Sequence, residues 1–161
     1  AIAVTNTNIV HAQGLLGLIK DGQQADALAA VPLVDIKQLH AKDDEQRSPL
    51  HLAAMCGWHD VVNAIMTRSG FTGANDVDPD GWRALHFAVG CESDISDKER
   101  ARVCESLLMH AHFVCGLHTT NSGWTAHAMA VCGSLRRASA IISRRCGAPG
   151  LAPPLRLSDY T

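Results

Sequence analysis

Nine histidines and six cysteines are the side chains of this 161-residue chain best suited to acid–base, nucleophilic or metal chemistry. His51 and His86 recur in matching contexts, PLHLAAMC at 49–56 and ALHFAVGC at 84–91, so an acid–base or metal-ligating pair is the first chemistry to weigh. Cys56, Cys91, Cys104, Cys115, Cys132 and Cys146 contain no CxxC pair, whereas zinc sites draw on closely spaced ligands. His110, His112 and His118 with Cys115 make the one local His/Cys cluster of the sequence. The chain carries no GxSxG, HExxH, GxxxxGK[ST] or GxGxxG motif. A nucleophile also needs a base oriented by a third group and a pocket to contain the reaction. These observations predict a non-enzyme with no catalytic residues, cofactor or metal. ArgArgAlaSer at 136–139 has the form of a basophilic kinase site with Ser139 as acceptor, on a segment predicted to be helical.

The elements that position these residues repeat. Ser48-Pro49 supplies an N-cap hydroxyl and a first-turn proline, and Leu50, Ala53 and Ala54 share one face before Gly57 ends the helix. A second helix opens near Asp60 with Val61, Val62, Ile65 and Met66 apolar and stops near Gly70. The same order returns at the turn Asp80-Gly81-Trp82 followed by RALHFAV, and again at Asn121-Ser122-Gly123-Trp124 followed by TAHAMAV. Arg47, Trp82 and Trp124 mark the phase, at steps of 35 and 42 residues. The longer step reflects about seven residues inserted near 90–97, where Ser96 and Glu99 have capping-box spacing. An exposed acidic loop and a lengthened helix from about residue 97 are therefore predicted. In a stack, His51 and His86 lie side by side on successive first helices, and Cys56, Cys91 and Cys132 read as small apolar residues near the ends of those helices.

The chain resembles the ankyrin-repeat family. AKDDEQRSPLHLAAMCGWHDVV at 41–62 is close to the family's turn followed by TPLHxAAxxGxxxVV. The copy DPDGWRALHFAV keeps Leu85, His86 and Ala88, and the copy SGWTAHAMAV keeps Thr125 but has Ala126, His127 and Ala128 where Pro, Leu and His are usual. The resemblance implies an all-α solenoid of about four to five helix-turn-helix units joined by short turns. It divides a single domain, 1–161, into an N-terminal capping repeat at 8–40, repeats at 41–75 and 76–119, a diverged repeat at 120–148, and a partial C-terminal repeat or linker at 149–161. It also implies that the repeated histidine hydrogen-bonds within the turn and first helix.

By the same resemblance, the turn residues face a concave binding surface. Arg47, Trp82 and Trp124 hold one variable position, and Asp44 and Glu45, Pro79 and Asp80, and Asn121 and Ser122 hold the second and third turn positions. Indoles and a guanidinium flanked by carboxylates suit an interface hot spot. The implied function is non-catalytic binding of a partner protein or peptide, as a scaffold. The alternative is a regulatory or substrate-recruiting domain of a larger enzyme whose catalytic part lies outside this chain.

Composition narrows the classes further. With 47% apolar and 19% charged residues the chain reads as a folded domain, and 23 Ala and 16 Leu against seven aromatics favour thin, closely packed helices. The longest apolar run, 27–34, is too short to span a membrane. A formal charge of −2 argues against nucleic acid. That charge is divided: residues 1–106 carry 9 basic and 15 acidic side chains, whereas 107–161 carry 5 Arg and Asp159. Six unpaired thiols and no signal peptide point to a monomeric protein of the cytoplasm or nucleus.

Overall fold

The computed structural model describes residues 14–91, 94–114 and 118–147. Helix α1 covers residues 14–20. It is followed by α2 (Gln24–Ala30), α3 (Ile36–Leu39), α4 (Pro49–Met55), α5 (His59–Met66), α6 (Ala84–Gly90), α7 (Asp97–Leu108), α8 (Ala126–Cys132) and α9 (Arg136–Cys146). Among the described residues there is no strand, only an isolated bridge between Thr119 and Thr125. No described helix is long and apolar enough to cross a membrane. The short α3 was not expected; Asp35 accepts a hydrogen bond from the Lys37 N–H at 3.2 Å and starts it.

The helices form two layers. First helices α4, α6 and α8 pack in sequence, as do second helices α5, α7 and α9, and each first helix packs on its own second helix. The apolar face of each hairpin is covered by its neighbours, so the core is continuous along the stack. Alanines at Ala53, Ala54, Ala84, Ala88, Ala126, Ala130 and Ala138 are buried and let helix axes approach closely. Leu50, Val61, Val62, Ile65, Val103 and Leu107 fill the space between layers with no exposed surface, each worth about 1.5–3 kcal/mol of burial.

Helix starts follow the sequence signals. Ser48 accepts from the His51 N–H, and Pro49 stands in the first turn. Ser96 accepts from the Glu99 N–H at 3.2 Å while the Glu99 carboxylate accepts from the Ser96 N–H at 3.1 Å, the reciprocal cap expected from that spacing. Thr125 accepts from the Ala128 N–H at 3.1 Å.

The insert between α6 and α7 is bonded in three directions. Ile95 lies over Gly57 of the preceding hairpin, where a Cβ would stand 2.7 Å from its Cγ2, and Gly57 has φ of +76°. Arg100, 5% exposed, donates to Ala88 O at 2.9 Å, Cys91 O at 2.7 Å and Ile95 O at 3.3 Å, satisfying carbonyls where α6 ends. Asp97 reaches forward: its carboxylate accepts from the Arg137 N–H at 2.9 Å and the Ala138 N–H at 3.1 Å, capping α9 from the neighbouring unit.

Cysteine placement differs from expectation in two respects. Cys56, Cys91, Cys104 and Cys132 are free, but Cys146 is disulfide-bonded, so the six are not uniformly free thiols. Sequence spacing carries no record of cysteines that folding brings together. Cys132 is exposed rather than packed, because no further first helix covers it among the described residues.

Candidate functional site

Three turns recur in one geometry. Asp43, Asp78 and Thr120 stand four residues before Arg47, Trp82 and Trp124. Each donates its backbone N–H to the carbonyl of that later residue, at 3.0, 3.0 and 2.8 Å. Their side chains accept back from the N–H of Arg47 at 2.7 Å, Trp82 at 2.7 Å and Trp124 at 3.2 Å. Between them the chain must pass through the left-handed region, at Gln46 (φ 61°), Gly81 (φ 78°) and Gly123 (φ 82°). Glycine meets this requirement without a Cβ penalty in two copies; Gln46 does not. The side-chain anchors Asp43, Asp78 and Thr120 escaped the sequence reading, although they share the 35- and 42-residue steps.

The repeated histidines join consecutive units. His51 Nδ1 accepts from the Ser48 N–H at 3.2 Å, which leaves Nε2 protonated to donate to Asp76 O of the next turn at 3.0 Å. His86 Nδ1 accepts from the Arg83 N–H at 3.1 Å, and Nε2 reaches His118 O at 3.2 Å. Burial depresses both imidazoles, His86 to about 4, so they are neutral structural links at pH 7. The equivalent position in the diverged copy is Ala128. Of the His/Cys cluster, Cys115 lies outside the described residues, and no group of three potential ligands gathers among the described ones.

The expected surface residues divide into three kinds. Asp44, Glu45, Pro79, Asp80, Asn121 and Ser122 are all exposed at the turn tips. Arg47 is committed: its guanidinium meets Asp43 at 2.8 and 3.0 Å and Glu45 at 2.7 Å. Burial pushes the Asp43 carboxyl up, but the side-chain and backbone hydrogen bonds from Arg47 outweigh it and hold its pKa below the ordinary value. Asn121 is also committed, donating from its backbone to Asp80 O at 2.9 Å and from its amide to Pro79 O at 2.8 Å, which joins two turn tips. Trp124 is 7% exposed, so little of its indole reaches the surface. Trp82 is half-buried, its ring 5.2 Å from that of Phe87.

The two indoles meet in one concavity. A pocket of about 470 Å³ lies between them, with Trp82, Trp124 and Met129 as apolar walls, the Thr120 and Ser122 hydroxyls on the turn side, and the exposed Cys132 thiol. Gly90 makes room for it to form: a Cβ there would stand 2.8 Å from the Trp82 ring and closer still to the Met129 methyl. Met129 was not singled out in the sequence and Cys132 was read there as a small apolar helix-end residue, because both lie on α8, away from the turn that carries the pattern.

ArgArgAlaSer falls on α9, where the Ser139 hydroxyl donates to Arg136 O at 3.1 Å. Arg136, Arg137, Arg144 and Arg145 are exposed.

A sequence-family model described as ankyrin repeats, in three copies, matches residues 3–108. No curated protein matches the chain.

Proposed function

This chain belongs to the ankyrin-repeat family, whose members are generally protein–protein interaction modules and typically non-catalytic, and from that premise we propose that it binds a partner protein or peptide through its turn tips and first-helix layer. The observation that carries the reading is the threefold recurrence of one turn geometry, in which Asp44 and Glu45, Pro79 and Asp80, and Ser122 are exposed at equivalent turn positions. Differing side chains held on turns of one hydrogen-bonded geometry lower the ordering cost of binding. Arg47 and Asn121 act within that geometry as braces, and Trp82 and Trp124 as the walls of an apolar recess beside it. The unit acts as a single monomeric domain over 1–161, with a capping repeat at 8–40, repeats at 41–75 and 76–119, a diverged repeat at 120–148 and a partial repeat or linker at 149–161, which lies outside the described residues. The four free thiols among the described residues suit the cytoplasm or nucleus, with bonded Cys146 as the exception.

The test is affinity capture from the source cells with wild type and with Asp80→Lys plus Ser122→Arg, both at exposed positions. Proteins held by wild type and released by the double variant support the reading. A captured set that is unchanged by the substitutions, in a variant with unaltered circular dichroism, overturns it.

A further inference from the structure

Resting on that reading, we propose a specific ligand chemistry for the surface: the pocket between Trp82 and Trp124 takes one large apolar side chain of a basic peptide. The peptide's Lys or Arg side chains then lie along the acidic tips of the two preceding turns. The pocket supports the anchor. At about 470 Å³ it falls within the range of ordinary ligand sites, it is walled by two indoles and a thioether, and Thr120 and Ser122 line it from the turn. Residues of that kind recognise an aliphatic or aromatic side chain and leave the adjoining peptide backbone near hydroxyls.

Charge complementarity supports the basic flank. Residues 43–47 and 78–82 carry Asp43, Asp44, Glu45, Asp78 and Asp80 against Arg47 alone, while 120–124 carry no charge. Arg47 is already engaged by Asp43 and Glu45, and the Asp78 carboxylate accepts from its own turn. Asp44 and Asp80 are the exposed carboxylates left over for a ligand. The hydrogen bond from Asn121 N to Asp80 O, 2.9 Å, brings the acidic tip directly beside the pocket's own turn. A basic residue close in sequence to the anchor is thereby set beside Asp80, and one further along an extended chain towards Asp44.

The test begins with phage-displayed random dodecapeptides selected on the purified chain. Consensus peptides are then synthesised and their binding measured by fluorescence anisotropy. The expected consensus holds one Leu, Met, Phe or Trp with two or more Lys or Arg within about six residues. Cys132→Phe, which fills the pocket from an exposed position, weakens binding at least tenfold, whereas Lys98→Ala, at an exposed position on α7 outside the pocket lining, leaves it within twofold. Asp44→Asn with Asp80→Asn weakens it about tenfold, and added salt does the same. Melting temperatures confirm that each variant is folded.

Selected peptides without an apolar anchor, or without basic residues, overturn the proposal. So does equal affinity for Cys132→Phe. If the peptides are insensitive to Cys132→Phe but lost with Asp80→Lys plus Ser122→Arg, the pocket assignment falls and the turn surface stands. If they are insensitive to both, or if no peptide is selected, the turn surface falls with it.

Discussion

Replacing Asp97 with alanine tests whether one unit starts the helix of the next. The Asp97 carboxylate accepts from the Arg137 and Ala138 N–H groups at 2.9 and 3.1 Å, in the first turn of α9, and Leu135, which precedes α9, supplies no side-chain cap. Losing an N-cap costs about 1 kcal/mol, and losing a negative charge at the positive end of a helix about 0.5 kcal/mol more. Together these give a local loss of about 1.5 kcal/mol, or roughly tenfold faster amide exchange where exchange reports local opening. The assay is residue-resolved hydrogen exchange, comparing amides of α9 with those of α5, and Lys98→Ala is the matched control on an exposed neighbour. The expected result is acceleration confined to α9. Acceleration no larger than in Lys98→Ala would refute the reasoning, and equal acceleration in α5 would show that Asp97 acts on global stability instead.

Gln46 occupies the left-handed position that Gly81 and Gly123 fill in the other turns, so Gln46→Gly should stabilise the chain by about 0.5–1 kcal/mol, read as a higher melting temperature. His51 and His86 are buried neutral imidazoles with lowered pKa values, so the unfolded chain binds protons first on acidification. Their stabilisation is complete above about pH 6.5 and is lost as pH falls below it; for His86 the loss runs down to about 4 and amounts to about 3 kcal/mol. Melting temperatures across that window should fall, and His86→Gln should flatten the slope; a slope identical to wild type would remove His86 as the cause. Burial raises the Cys56 and Cys91 thiols and pushes Cys104 up to about 12, whereas Cys132 is exposed. A thiol reagent followed by mass spectrometry should therefore label Cys132 first and Cys104 only after unfolding, and early labelling of Cys104 would contradict the packing of α7.

The helical repeat was legible because its signals are local. Ser48-Pro49, Asp80-Gly81 and the Ser96–Glu99 pair each declare a helix start or turn within four residues, and their common phase reveals the stack. What joins the units was not legible. Asp97 and Ala138 are 41 residues apart and Asn121 and Pro79 are 42 apart, and no short pattern records such pairs. Arg100 carries no local signal in the sequence; only the fold shows it buried against three carbonyls. For the surface, the turn positions were legible through their period, but the difference between Trp82 and Trp124 was not. It depends on which neighbour covers each indole, and on Met129 and Cys132, which a turn-centred reading passes over.

The insert before α7 has a mechanical consequence. Ile95 bears on Gly57 behind it, Arg100 holds the end of α6 beneath it, and Asp97 holds α9 ahead of it. A stack with uniform contacts between neighbours would peel one hairpin at a time when pulled from its ends. Here three consecutive hairpins share one fastening, so they should yield together, in a single long extension at higher force, and cutting Asp97 and Ile95 back to alanine should return the trace to separate short steps.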